Sequence, residues 1–309
     1  MDIRIVISQM CVMLIIILIG YMLFHKNKLS DSSSGHISGL VVNICNPATI
    51  ICSALDKEAA ISVKEMLSAA FVMLCIYALL LLAGWLLPLI MRIPKEDRYM
   101  YHFMTVYGNV GFLGIPLVSA VLGTSALVYV SINCVIFNLL FYTVGTSIIE
   151  KKAAAKQSGT KVLLFRIVNV GTVSSVLTII LYLVDFKLPA VISDTITYAG
   201  RATTFLSMIV LGVSVAQMPL KEIFCHKKDY LFIVLRMLLL PICFSLLLKQ
   251  FVTDPLLLGT SALLLAVPCG NLPLMCAREH KLAADDLARM IILSTLLSVV
   301  TIPLAVMFL

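Results

Sequence analysis

Two short stretches carry residue types able to bind a small charged molecule inside an otherwise apolar chain. The first reads Tyr107-Gly108-Asn109-Val110-Gly111-Phe112-Leu113-Gly114-Ile115-Pro116-Leu117, the second Pro268-Cys269-Gly270-Asn271-Leu272-Pro273-Leu274. Each places Gly-Asn a few residues before Pro-Leu. Glycine costs about 1 kcal/mol in a helix interior and proline about 3, because proline removes a backbone donor and clashes with the preceding turn. Gly108, Gly111, Gly114 and Pro116 should therefore unwind the first stretch, and Gly270, between Pro268 and Pro273, marks the second. Broken helices present amino ends whose free N–H groups and partial positive charge suit an anion. Asn109 and Asn271 each add a neutral donor pair and an acceptor, able to meet a carboxylate or coordinate a cation. The competing reading is two kinked helices packed through small residues, with the asparagines bonded between helices. Asn46-Pro47 is a third break without glycines, either a wall of the same site or a simple kink.

Arg166, Arg201 and Arg236 fall inside apolar runs, where a charge is expensive enough to suggest a role. Arg166 lies close to a basic loop and can snorkel to the interface. Arg236 lies about two helical turns into its run and is open to either reading. Arg201 lies near the midplane if its helix starts at Leu188-Pro189, and is an interfacial anchor if the helix starts near Thr197. Acids are scarce by contrast. Apart from Asp194, none lies well inside an apolar run, which argues against a conventional buried proton relay. Asp285-Asp286 is a lone pair without the second acidic cluster of a Mg²⁺-pyrophosphate enzyme. No H-E-x-x-H, Ser/His/Asp set or Cys/His pair at ligand spacing occurs, so no enzyme, metal site or cofactor is expected.

The elements that must position these residues follow from composition. Of 309 residues 61% are hydrophobic and 13% charged, far from a soluble globular balance. Apolar runs near 5–24, 37–55, 66–91, 103–122, 125–149, 162–184, 189–217, 229–249, 254–276 and 287–309 are each long enough to cross a bilayer. Little chain is left for a soluble catalytic domain, an ATPase module or a nucleic-acid reader. The cluster Ser32-Ser33-Ser34-Gly35 reads as a turn. Eight of nine cysteines lie in apolar runs and read as packing residues. The first run ends without a small-residue cleavage pattern and reads as a retained span.

Basic residues divide 15 to 5 between alternate connections. Basic loops stay cytoplasmic, so both termini are expected outside. Five spans on each side of the central loop give the second half the opposite orientation, the condition for an inverted repeat. The expected architecture is an all-α polytopic membrane protein: a first repeat over 1–149, a cytoplasmic linker over 150–161 and a second repeat over 162–309.

At the two Gly-Asn stretches the chain resembles the auxin efflux carrier family, which includes plant auxin exporters and bacterial permeases labelled as malate or malonate carriers. Gly108 to Leu117 is similar to the family's fourth-helix crossover. Leu265 to Pro273, then Ala277-Arg278-Glu279-His280, is similar to the ninth. The resemblance implies a fold shared with bile acid sodium symporters: a scaffold of spans 1, 2, 6 and 7, and a moving transport domain of spans 3–5 and 8–10 with helices 4 and 9 crossed at the substrate. By carry-over Asn109 contacts substrate, Gly108, Pro116, Pro268 and Gly270 shape the crossing, and Asn46 faces it from the scaffold. The chain departs from the plant members in its short central loop and in lacking an acid in span 3.

The expected function is secondary transport of small organic anions by an elevator-type movement in the cell membrane. Its expected partners are the anion and the lipid bilayer, with room for a homodimer and no nucleic acid. A sodium-coupled carrier of the bile-acid-symporter type and a non-transporting sensor are the alternatives.

Overall fold

The computed structural model describes residues 3–55, 62–152, 168–184, 188–279, 282 and 285–308. Among these the chain is helical, with no strand beyond one isolated bridge, Gly108 to Cys269. Seven helices are long and apolar enough to cross a membrane: Ile3–His25, Asp31–Cys52, Val63–Ile90, Thr124–Ile149, Ala190–Ala216, Lys227–Leu248 and Asp285–Val306. Three shorter apolar helices, Val110–Leu122, Val170–Leu181 and Pro255–Ala266, lie among them. Arg166 and most of the expected 150–161 linker fall outside the described residues.

Boundaries follow local chemistry. Ser62 and Glu65 close a capping box at the start of Val63–Ile90, each side chain bonding the other's backbone, which satisfies two donors that a helix start leaves free. The turn expected at Ser32-Ser33-Ser34-Gly35 is instead the first turn of a helix. Ser30 accepts from the Ser33 N–H at 3.2 Å and Asp31 stands at the positive end; serine clusters serve as helix starts as readily as turns. The run expected over 103–122 divides into Arg98–Val106 and a second helix from Val110, and that over 254–276 into Pro255–Ala266 and Leu272–Glu279.

Among the described residues four helices contain one wide π turn: Val41–Cys45, Val110–Gly114, Phe141–Gly145 and Leu235–Leu239. Three of them end two residues before a proline, namely Pro47, Pro116 and Pro241. A proline ring collides with the carbonyl four residues earlier, and a turn one residue wider moves that carbonyl aside. Asn46-Pro47 is thus no break: the helix from Asp31 runs through it by bonding the Asn46 N–H to the Val41 carbonyl.

Helices Ile3–His25 and Ala190–Ala216 pack with their backbones in contact. A Cβ on Gly20 would lie 2.4 Å from the Ile209 carbonyl oxygen, and one on Gly212 would lie 2.1 Å from that of Ile17. Only glycine allows this approach, which in lipid replaces the hydrophobic drive that water would supply. The helix over Asn46–Leu55 joins this pair through Thr49, whose hydroxyl meets the Gly200 carbonyl at 3.0 Å and the Thr203 hydroxyl at 2.7 Å. On the other side, Val63–Ile90 packs against Arg98–Val106 and Leu127–Leu140, while Leu240–Leu248 and Asp285–Val306 pack against Pro255–Ala266.

Candidate functional site: a crossing of two broken helices

Arg98–Val106 stops at Tyr107, which turns to an extended conformation. Pro255–Ala266 stops at Val267, also extended. The two unwound segments meet and pair as a minimal antiparallel ladder. The Asn109 N–H donates to the Pro268 carbonyl at 2.8 Å and the Gly270 N–H donates to the Tyr107 carbonyl at 3.0 Å. In hydrocarbon an irregular backbone survives only when protein satisfies its polar groups, and each segment does this for the other. The glycines follow from the distance: a Cβ on Gly270 would sit 2.7 Å from the Gly108 oxygen, and one on Gly108 would sit 2.7 Å from Cγ2 of Val267. Two helix carboxyl ends and two amino ends therefore converge on one point.

Asn109 is the N-cap of the half-helix that follows. Its Oδ1 accepts from the Phe112 N–H at 3.2 Å, while its Nδ2 is buried without a partner. Asn46 is buried close by, its Nδ2 standing 3.3 Å from where a Cβ on Gly111 would be and its Oδ1 without a partner. One spare donor and one spare acceptor thus lie beside the crossing, each costing about 1–3 kcal/mol while unpaired. Gly114 is held against Leu264, 3.1 Å from a would-be Cβ. Pro273 is buried in the first turn of Leu272–Glu279, where a missing N–H is harmless. Asn271 lies half-buried past the bridge.

A cavity of about 470 Å³ opens beside the crossing, lined among others by Thr49, Cys52, Pro116, Ser119, Thr197 and Arg201. Helix Ala190–Ala216 starts directly after Pro189, which removes the start near Thr197 that an anchoring Arg201 requires. Arg201 is exposed and borders this cavity together with Pro116. Asn109 and Asn46 do not line it. Asp194, on the same helix, is exposed.

Arg236, open to either reading from its position in the sequence, stands at the crossing in the structure. It is 2% exposed, inside the wide turn Leu235–Leu239. Nε donates to the Thr105 carbonyl at 2.8 Å and to that of Met104 at 3.3 Å, and Nη1 donates to the Leu265 carbonyl at 2.7 Å. A charge within an apolar run was the available signal. Its partners are backbone carbonyls distant in sequence, which no spacing rule reveals.

A family profile described as "Membrane transport protein" matches residues 5–306. The chain belongs to this auxin efflux carrier family. A relative from Rhizobium meliloti (strain 1021), described as "Putative malonate transporter", is 24% identical over 298 residues, 93% of this chain and 90% of its own. An uncharacterized transporter of Methanocaldococcus jannaschii is 26% identical over 218 residues, covering 68% of this chain and 69% of its own. Both names point to a transporter rather than an enzyme, and family membership covers the crossing together with the helices that frame it.

Proposed function

We propose that this family member is a secondary carrier of small organic anions of the cell membrane, with malonate- and malate-sized carboxylates as its first substrate class. The observation that carries the reading is the unspent hydrogen-bonding capacity of Asn109 Nδ2, buried at the amino end of a broken helix. A carboxylate oxygen accepts from such an amide and gains from the positive helix end. The neighbouring cavity falls within the roughly 300–1,000 Å³ usual for small-molecule sites. The name of the Rhizobium relative supports malonate as the first compound to test.

In this reading the three shorter apolar helices complete ten spans in two inverted sets of five, with both termini outside. The paired glycines of Ile3–His25 and Ala190–Ala216 mark a rigid scaffold, joined by Asn46–Leu55 and Val170–Val184. The remaining helices carry the crossing past it. Liposomes containing the purified protein should accumulate labelled malonate by exchange against internal malonate, saturably and in competition with malate. Failure of malonate, malate and indole acids alike to enter or compete sinks the carrier reading. Green fluorescent protein exported unfolded at the carboxyl terminus should stay dark, whereas fusions within 150–161 should glow; the reverse pattern overturns the topology and the inverted repeat.

A further inference from the structure

Arg236 carries a positive charge into the interior of Lys227–Leu248, where the hydrogen-bond partners it meets are carbonyls. Those carbonyls share one property. Met104 and Thr105 lie in the last turn of Arg98–Val106, and Leu265 lies in the last turn of Pro255–Ala266. The final carbonyls of a helix lack intrahelical donors and carry the negative end of its dipole. One guanidinium thus caps the carboxyl ends of both broken helices from behind the bridge. Its planar fork lets Nε serve one helix and Nη1 the other, which a point charge on a flexible stem does less well. The wide turn before Pro241 is the local device that places it there.

In carriers built on broken helices, unwound carbonyls and half-helix carboxyl ends supply the oxygens for a coupling sodium ion. Here the backbone bridge engages the carbonyls of Tyr107 and Pro268, and the guanidinium engages three carboxyl-end carbonyls, those of Met104, Thr105 and Leu265. The small cavity beside it, about 20 Å³, is lined by Tyr77, Asn133 and Ser261 among others. Tyr77 donates its hydroxyl hydrogen to Asn133 Oδ1 at 3.2 Å, leaving Asn133 Nδ2 as an unpartnered donor. That volume takes one water-sized group. Ser261 Oγ stands unpartnered there beside the Asn133 amide, but the Arg236 guanidinium lines the same cavity and repels a metal cation. These residues do not fit a sodium ion.

We propose that Arg236 is the built-in cation of this carrier: it neutralises the carboxyl ends of both broken helices, so that an anion binds at the crossing with no co-bound sodium. The inference rests on the carrier reading above for its substrate, but its first test does not. Thermal unfolding of the purified protein, without any organic anion, should show the same midpoint in sodium, potassium and choline chloride. Arg236→Ala should unfold at lower temperature and recover saturably with low-millimolar guanidinium, not with choline. Malonate titrations then follow. Wild type should bind equally, within about twofold, in sodium and in choline. Arg236→Ala should bind about tenfold or more weakly and regain affinity with guanidinium, and Arg236→Lys should fall between the two.

A wild-type malonate affinity that rises about tenfold when sodium replaces choline overturns the proposal. So does a folded Arg236→Ala variant with unchanged affinity and no response to guanidinium, which leaves the side chain a packing role. If Arg236→Ala gives no folded protein, the wild-type salt comparison and Arg236→Lys decide. If wild type binds no carboxylate in any salt, the substrate reading fails alone, and the anion-free unfolding series still judges Arg236.

Discussion

The two crossing segments perform the same backbone task with different chemistry. Tyr107–Gly114 and Val267–Asn271 exchange reciprocal hydrogen bonds, one N–H from each. Around that shared bridge the first segment keeps a buried asparagine as N-cap, then spends a wide turn before Pro116. The second enters its helix directly at Leu272, with its asparagine half-buried. The glycines differ too. Gly270 faces the backbone of Gly108 and Tyr107, whereas Gly111 faces the end of the Asn46 side chain. Two broken segments with similar Gly-Asn motifs build the crossing, and under the proposed function their differences divide the work: the first segment binds and the second supports.

The strongest way to break this comparison is a methyl group on each side. Gly270→Ala puts a Cβ 2.7 Å from the Gly108 oxygen and 2.9 Å from that of Tyr107, and neither backbone atom can rotate away. Loss of the bridge also strands two N–H groups and two carbonyls in a dry interior. The expected loss is about 3 kcal/mol or more, on the order of a 5–10 °C fall in unfolding midpoint, or no folded protein at all. Gly111→Ala meets only Asn46 Nδ2 at 3.3 Å, so it should fold near normally and weaken anion binding by displacing that amide. Size-exclusion profiles and unfolding midpoints of the two variants check the ranking. Equal stability would mean that the crossing is looser than the structure requires.

Next in size is the contrast between the asparagines. Asn109→Ala removes the unpartnered donor that the proposed function assigns to the anion, worth about 1.5–3 kcal/mol against a charged group, or roughly ten- to a hundredfold in dissociation constant. It also removes the cap on the Phe112 N–H, so a modest fall in stability of about 1 kcal/mol should accompany it. Asn271→Ala should change malonate affinity by less than about threefold. Isothermal titration with both variants decides the matter. Comparable losses would make the site symmetric after all, and a larger loss at Asn271 would invert the assignment.

These contrasts separate what the chain discloses locally from what it does not. Gly108 announces the break itself. Gly111, Gly114 and Pro116 also disfavour the α conformation but are helical in the structure, because a wide turn and a helix start accommodate them. The clustering locates the break without knowledge of a partner but overstates its length. The length and number of apolar runs likewise need no partner to be read. The end-to-end match of Asn109 N–H to Pro268 and of Gly270 N–H to Tyr107 spans about half the chain, and no local propensity encodes it. Asn46-Pro47 misleads for a related reason, since the proline is visible but the wide turn that absorbs it depends on packing. The serine cluster after Ser30 shows the limit at short range, because the same residues favour a turn or a helix start. Arg236 reads only as a misplaced charge until the two helix ends that it caps are brought together.

The smallest expected effect concerns Arg201, and it sharpens the comparison by testing how far the binding side extends. The guanidinium borders the cavity with Pro116, a cavity that Asn109 and Asn46 do not line, on an exposed part of its helix. A charge in that position attracts an anion into the cavity without gripping it at the crossing. Its field is screened over about 10 Å at 0.1 M salt, so its influence belongs to association rather than to the bound contact. Arg201→Gln should therefore raise the malonate dissociation constant by roughly threefold at low ionic strength, acting on the association rate, and the difference should shrink in high salt. Arg201→Lys should match wild type, since steering needs charge and not a two-pronged geometry. A loss in Arg201→Gln that persists in high salt, and that Lys repairs only in part, would instead place the guanidinium on the bound carboxylate and extend the site from the crossing to the scaffold. No effect in either variant at any salt would confine binding to the crossing itself.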